Sequence, residues 1–225
     1  MCGRYMLTTP VDALRQLFLF TERPNLAPRY NIAPTQDVPI VRRTRDGAAR
    51  ELLMVRWGLV PYWADDPKIG NRLINARAES VARTPAFRDA YERRRCLVPA
   101  DGFFEWQKDG KTRQPLLVRR QDQAPFAFAG LWERWPQPGG AVLRSCTIIT
   151  CPANALIAPV HDRMPVILAP GDFERWLDPE AGGRELLRPC PAEWLEALPV
   201  SPRVNSPQND DPECIAPVAV QGSLL

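Results

Sequence analysis

Proline is the feature that most restricts the fold of this chain, because it occurs 25 times in 225 residues and is scattered throughout. A proline has no backbone N–H and disrupts the interior of a helix, so the helices should be short and the loops numerous. The apolar segments between the prolines are mostly typical of strands, with short helices interspersed. These observations predict one α+β domain over residues 1–225, with a mainly antiparallel, barrel-like β core and short flanking helices.

The positions of the individual elements follow from turn signals and apolar patterns. A first helix should begin at Thr9 and Pro10, which read as its N-cap and first residue. The tail from Ser201 onwards is rich in proline, yet its apolar Ile215 and Val218 predict that it packs back on the body. The predicted strands cover 38–43, 50–57, 73–79, 96–106, 114–120, 125–132, 142–150 and 164–169. The further predicted helices cover 86–95, 153–158, 171–177 and 191–198.

The cysteine and histidine content argues against a metal site. Six cysteines, none of them in C-x-x-C spacing, accompany a single histidine, whereas zinc sites normally need clustered ligands. The sequence shows neither a secretory signal pattern nor an apolar run of membrane-span length. We therefore expect a cytoplasmic monomer with free thiols, without metal, cofactor or membrane contact. The net charge of +3 is too small to indicate nucleic-acid binding by itself.

The amino terminus carries a residue that could be unusually reactive. Cys2 follows Met1, and a small residue at position 2 permits removal of the initiator methionine. Removal would place an α-amine, with an ordinary pKa of about 8, on the same residue as a thiol. The amine can condense with an aldehyde to a Schiff base, and the thiol can then close onto the imine carbon as a five-membered thiazolidine. An internal cysteine cannot form such a trap, although a penultimate cysteine can also be functionally silent.

Two other functions remain open at this point. In an amino-terminal-cysteine hydrolase or amidotransferase, the thiol of Cys2 would attack an amide. Such an enzyme needs an oxyanion hole, which an Asn-Gly dipeptide in the sequence usually indicates. This chain has no Asn-Gly dipeptide. A passive single-strand binder would not use Cys2 at all.

Other segments place polar residues among apolar ones. Asn75, Arg77 and Glu79 alternate and would share one face of a strand, which is costly in a core and useful in a cleft. Glu105 lies between aromatic residues, so its carboxyl should have a raised pKa that suits proton transfer near neutrality. The single histidine, His161, is followed by an acid and an arginine. These residues favour a catalytic function over passive binding.

Together these motifs resemble the SRAP (SOS-response-associated peptidase) family. The motifs occur in the family's order and cover almost the whole chain, which makes the combination specific. The matching segments are Cys2-Gly3-Arg4-Tyr5, Arg29-Tyr30-Asn31-Ile32-Ala33-Pro34, Trp57-Gly58-Leu59-Val60-Pro61 with Trp63, Ile74-Asn75-Ala76-Arg77-Ala78-Glu79, Asp101-Gly102-Phe103-Phe104-Glu105-Trp106, His161-Asp162-Arg163-Met164-Pro165, and Val204-Asn205.

The resemblance implies a covalent thiazolidine link between Cys2 and the ring-opened aldehyde of an abasic site in single-stranded DNA. It implies that Asn75 orients Cys2, and that Glu105 and His161 handle protons. It also implies an associated peptidase activity limited to release of the residue before Cys2. The DNA partner would place the protein on the nucleoid when bound. The DNA-binding residues implied by the resemblance are Arg4, Asn31, Pro34, Trp63, Arg77 and Arg163.

Overall fold

The computed structural model describes residues 2–110, 112–137 and 139–218. Its thirteen described strands and three α-helices occur in an α+β arrangement, with short 3-10 turns in the loops. The strands are β1 (Tyr5–Leu7), β2 (Arg29–Ile32), β3 (Asp37–Arg43), β4 (Arg50–Trp57), β5 (Asn75–Arg77), β6 (Arg95–Ala100), β7 (Gly102–Asp109), β8 (Thr112–Arg120), β9 (Phe126–Pro136), β10 (Val142–Pro152), β11 (Arg163–Pro165), β12 (Ile167–Leu168) and β13 (Leu195–Pro199). The α-helices are α1 (Val11–Phe18), α2 (Arg88–Arg93) and α3 (Phe173–Leu177).

Five strands close into a barrel, which confirms the predicted barrel-like β core. Neighbouring strands pair in the order β10, β4, β3, β6 and β9, and β9 pairs again with β10. All of these pairs are antiparallel except β4 with β10. A second sheet, in the order β13, β8, β7, β1 and β2, is antiparallel throughout. The mainly antiparallel α+β prediction is therefore correct.

The two ends of the barrel differ in what fills them. Strands β3 and β9 end, and β4 and β10 begin, at the end we call the Arg42 end after its residue on β3. At the opposite end the ring of Tyr5 packs edge-on against Trp57 and Phe128, with centroid distances of 5.3 and 5.8 Å. We call this the Tyr5 end. Because Tyr5 fills that end, the residues just before it are held beside the barrel opening.

Several predicted elements require correction. The predicted helix at 191–198 is wrong, since a short 3-10 turn at Ala192–Trp194 leads into β13, which completes the ladder on the edge of β8. The predicted helix at 153–158 is wrong as well, because the Asn154 side chain bonds to the amide of Ile157 and to the carbonyl of Cys190 and holds a series of turns. The predicted strand 96–106 divides at Asp101, where the chain passes from the barrel to the second sheet.

Most of the remaining elements agree with prediction. The helix predicted after Pro10 is α1, whose Leu14 and Phe18 are buried. The turn between β3 and β4 contains Gly47 at a φ of +72°, a conformation that glycine adopts without strain. The tail packs back as predicted, through a bridge between Val200 and Pro217.

Candidate active site

The amino-terminal segment is fixed by the second sheet and by one buried acid. The Asp101 carboxylate accepts hydrogen bonds from the amides and hydroxyls of both Thr8 and Thr9, over 2.5–2.8 Å. The amide of Phe104 donates to the carbonyl of Arg4 at 3.0 Å. These bonds tie β1 to β7 on both sides of their pairing, so the chain before β1 has little freedom to move away from β7.

Cys2 lies fully buried at the Tyr5 end. Its thiol is 4.0 Å from the carbonyl of Arg4, and its own carbonyl accepts a 2.8 Å hydrogen bond from the Asn75 side-chain amide. Burial raises the pKa of the Cys2 thiol far above its ordinary value, and the nearby charge of Glu105 raises this pKa further. The thiol is therefore protonated at neutral pH and is a poor nucleophile on its own.

Glu105 is a buried carboxyl on β7, with only 4% of its surface exposed. Burial raises its pKa to about 7. At neutral pH the group is therefore present in both the acid and the base form, as proton transfer in both directions requires. The prediction of a raised pKa for Glu105 agrees with the structure.

His161 belongs to the loop that leads into β11. Its Nδ1 lies 2.9 Å from the amide nitrogen of Arg163 and 2.8 Å from a carboxylate oxygen of Asp162. Burial lowers the pKa of His161, and the neighbouring Asp162 partly opposes this effect. The charge of Asp162 also raises the pKa of Glu105 slightly.

Arg163 points inward and its guanidinium is occupied. It forms a bidentate pair with Glu79 at 3.0 and 3.1 Å, and it also donates to the hydroxyl and the carbonyl of Thr150. Only 8% of the residue is exposed. The guanidinium thus holds β10 against the turn after β5, and a contact between Arg163 and phosphate stays a prediction.

Asn31 is fully buried and serves the tail of the chain. Its amide nitrogen donates to the carbonyls of Val204, Ser206 and Asn209 over 2.7–3.1 Å. Its amide oxygen accepts a 2.9 Å bond from Arg4. The side chain of Asn31 is therefore buried and holds the tail in place, and its contact with DNA stays a prediction. Arg4 is only half-buried and also donates to the carbonyl of Val204.

Three predicted DNA-binding residues lie at the surface. Trp63 is 48% exposed, Arg77 is exposed and Pro34 is half-buried. The loop that carries Trp63 is fixed by a close approach of Gly58 to Gly70, where a Cβ on Gly58 would lie 2.6 Å from the Gly70 carbonyl oxygen. The loop therefore presents its aromatic side chain from a defined position.

Two positioning acids were not among the predicted site residues. Asp101 was quoted only as part of a motif, although an acid just before a glycine and an aromatic run gives some signal. Asp210 accepts from the amides of Tyr30 and Asn31 and pairs with Arg29. Nothing in the sequence near Asp210 indicates this contact, because its partners lie about 180 positions away.

Neither a metal site nor a membrane-spanning helix is found in the described part of the chain. Across residues 2–110, 112–137 and 139–218, no three His, Cys, Asp or Glu side chains are grouped so that they could hold a metal ion. Within the same ranges no helix is long and apolar enough to cross a membrane. All six cysteines are buried free thiols.

The chain belongs to the SOS response associated peptidase (SRAP) family, whose family model matches residues 1–207. The chain is also similar to a solved protein from Bacteroides thetaiotaomicron, with a TM-score of 0.87 and 25% identity, over 97% of this chain and 100% of that one.

Curated relatives carry a common name. The chain is 42% identical to the abasic site processing protein YoqW of Bacillus subtilis, over 96% of this chain and 99% of that protein. It is 32% identical to the abasic site processing protein YedK of Escherichia coli, over 97% and 100% of the two chains. It is also 32% identical to the abasic site processing protein HMCES of Gallus gallus, over 97% and 78%.

Proposed function

We propose that this protein processes abasic sites in single-stranded DNA by linking covalently to them through Cys2, once Met1 has been removed. The observation that carries the proposal is the surroundings of Cys2, a buried residue held by Asn75 beside a carboxyl whose pKa is about 7. The names of the curated relatives support the choice of substrate. The chemistry requires a free α-amine, so release of Met1, by self-cleavage or by an aminopeptidase, comes first.

The raised pKa of the Cys2 thiol favours an amine-first order of events. The α-amine adds to the aldehyde of the ring-opened deoxyribose, and loss of one water gives an imine. The S–H then adds across the C=N bond, so that sulfur bonds to carbon and the proton goes to nitrogen. The product is a thiazolidine, and the whole reaction releases one water. The protonated thiol is too weak a nucleophile to react first, and it attacks the electrophilic imine carbon as its proton is removed.

Glu105 and His161 supply the proton transfers in this scheme. The acid form of Glu105 protonates the hydroxyl that leaves as water, and the base form can accept a proton during addition of the thiol. His161, whose pKa is lowered by burial, is suited to assist opening of the sugar ring. Asn75 is a positioning residue, because its bond to the Cys2 carbonyl fixes the direction of the amine.

The surface residues provide the DNA contacts in this proposal. Arg77 and the half-buried Arg4 bind phosphate oxygens, while Trp63 and Pro34 pack against bases. We assign Arg163 and Asn31 to supporting roles, since their hydrogen bonds hold β10 and the tail. Binding of this kind does not depend on sequence and weakens as salt increases.

The test is a denaturing gel with single-stranded DNA that contains one abasic site. We expect a heat-stable band with the wild type and none with Cys2→Ala, whereas the buried-cysteine control Cys190→Ala should still crosslink. Intact mass should show loss of Met1 from the free protein, and an adduct lighter than the sum of its parts by one water. Cys2→Ala keeps an α-amine, so borohydride should trap its imine.

Other outcomes would point to other functions. A protein that begins at Cys2 and forms no band would exclude the trap. Hydrolysis of glutamine or of a peptide without DNA would then favour the amino-terminal-cysteine hydrolase or amidotransferase. Equal behaviour of wild type and Cys2→Ala would indicate a passive binder.

A further inference from the structure

The Arg42 end of the barrel carries a cluster of arginines that the crosslinking scheme does not use. Arg42 comes from the end of β3, Arg134 from the end of β9 and Arg144 from the beginning of β10. Arg134 and Arg144 are exposed. Because β10 runs from this end to the Tyr5 end, the cluster and Cys2 lie at opposite ends of the same barrel.

Two of these arginines form an unfavourable cross-strand pair. In the ladder of β9 and β10, Arg134 lies directly opposite Arg144. Among the residues that the structure describes, no acid lies within ion-pairing distance of either guanidinium. Like charges placed directly opposite each other destabilise a sheet. An anionic ligand bound between the two arginines would relieve their repulsion.

The third arginine is held close to this pair. The guanidinium of Arg42 lies 4.3 Å from the ring centroid of the buried Trp132. It also forms an ion pair with Glu51 at 2.7 Å. Burial lowers the pKa of Arg42, Glu51 opposes this effect, and Arg144 and Arg134 lower the pKa further. The three cations are therefore near enough to act on one ligand.

Two adjoining cavities give the cluster room for a ligand. A cavity of about 420 Å³ is lined by Arg42, Arg93 and Trp132, and also by acids including Asp178. A neighbouring cavity of about 430 Å³ shares Arg93 and is lined by Arg134, and also by the acids Asp89 and Glu133.

An aromatic ring connects the cluster to the expected DNA path. Tyr62 lines the second cavity and is 49% exposed. Its chain neighbour Trp63 is the residue expected to pack against bases. Alternating arginines and exposed aromatic rings are typical of grooves that bind single strands, and they favour a nucleic acid over an acidic peptide.

We propose that the Arg42 end is a second, non-covalent phosphate site that binds the DNA strand flanking the abasic site, a proposal that rests on the proposed function. Thr150 on β10 pairs with Arg77, one of the proposed phosphate contacts. Along β10, Thr150 lies about 20 Å from Arg144. This corresponds to roughly six nucleotide steps of stacked DNA. Only strands that extend beyond the abasic site by about that length reach both ends of the barrel.

The experiment compares the double variant Arg134→Gln/Arg144→Gln with a control, Arg113→Gln/Arg188→Gln, which removes two exposed arginines outside the barrel. Affinity is measured by fluorescence anisotropy on intact DNA strands of about 20 and about five nucleotides. We expect the double variant to bind the long strand about tenfold more weakly at low salt, with a shallower salt dependence, and the short strand unchanged. The control should change neither.

Crosslinking to a short abasic strand separates this proposal from the proposed function. The double variant should crosslink that strand at the wild-type rate, and its melting temperature should equal or exceed that of the wild type. Unchanged affinity and salt dependence on the long strand would overturn the second site. Failure of the wild type to crosslink abasic strands of either length would overturn the proposed function, whereas weaker binding of the long strand by the double variant would still support the second site.

Discussion

The two ends of the barrel use polar groups in opposite ways. At the Tyr5 end Cys2 and Glu105 are buried, and burial raises the pKa of both groups. At the Arg42 end Arg134 and Arg144 are exposed to water. The comparison teaches that burial keeps the thiol protonated and brings the pKa of Glu105 near neutrality, whereas phosphate-binding groups gain from exposure.

The largest expected effect tests whether burial of Glu105 serves chemistry. Glu105→Gln should slow crosslinking by at least about 100-fold, because the amide cannot transfer a proton. The wild-type rate should rise with pH as the α-amine loses its proton and fall as Glu105 loses its own above about pH 7. The variant should lose the falling limb. Single-turnover rates on abasic DNA between pH 5.5 and about 9 measure both effects.

A second buried carboxyl provides the matched control for that variant. Glu133 lies near the Arg42 end and is paired with Arg94 at 2.7 Å, and burial raises its pKa as well. Glu133→Gln should leave the crosslinking rate and its pH profile unchanged. Equal slowing by both substitutions would mean that buried carboxyls support the fold in general and that Glu105 has no specific part in proton transfer.

The next prediction concerns stability rather than rate. The pKa of Glu105 is about 7 in the folded protein and 4.5 as its ordinary value, so the folded state holds the proton more tightly. The free energy of unfolding should therefore fall as pH rises from about 4.5 to 7, by roughly 3 kcal/mol at most. Urea unfolding across this range should show the decline in the wild type and a flatter profile in Glu105→Gln. Parallel profiles would contradict the assignment.

Sequence reasoning succeeded where the physical signal is local. Glu105 among aromatic residues predicted a buried carboxyl, and the alternating apolar segments predicted most strands of the barrel. It failed where partners are remote along the chain. The bonds from Asn31 to the tail carbonyls were not predicted, because only the fold brings these residues together. Residues 195–199 form a strand because the edge of β8 is available to pair with them, which their own sequence does not reveal.

A third prediction addresses how the Tyr5 end is held together. Asp101→Ala should lower the free energy of unfolding by about 2 kcal/mol, because Thr8 and Thr9 lose a charged acceptor that serves four donors. Crosslinking should also slow, since Cys2 would no longer be fixed beside β7. Urea unfolding and single-turnover rates measure the two effects. The exposed-acid control Asp65→Ala should change neither, and an unchanged rate in Asp101→Ala would show that Cys2 is positioned by Asn75 alone.

The smallest expected effect tests whether the Arg42 end carries an electrostatic cost. A double-mutant cycle of Arg134→Thr and Arg144→Thr should give an unfavourable coupling of about 0.2–1 kcal/mol in the free energy of unfolding, because each arginine repels the other across the ladder. The coupling should fall as salt increases, since both side chains are exposed and salt screens their repulsion. The charge-conserving control Arg134→Lys should retain it. If the effects of the two single variants on the free energy of unfolding add strictly at low salt, the two guanidiniums turn away from each other. The exposed charge at this end would then not destabilise the fold.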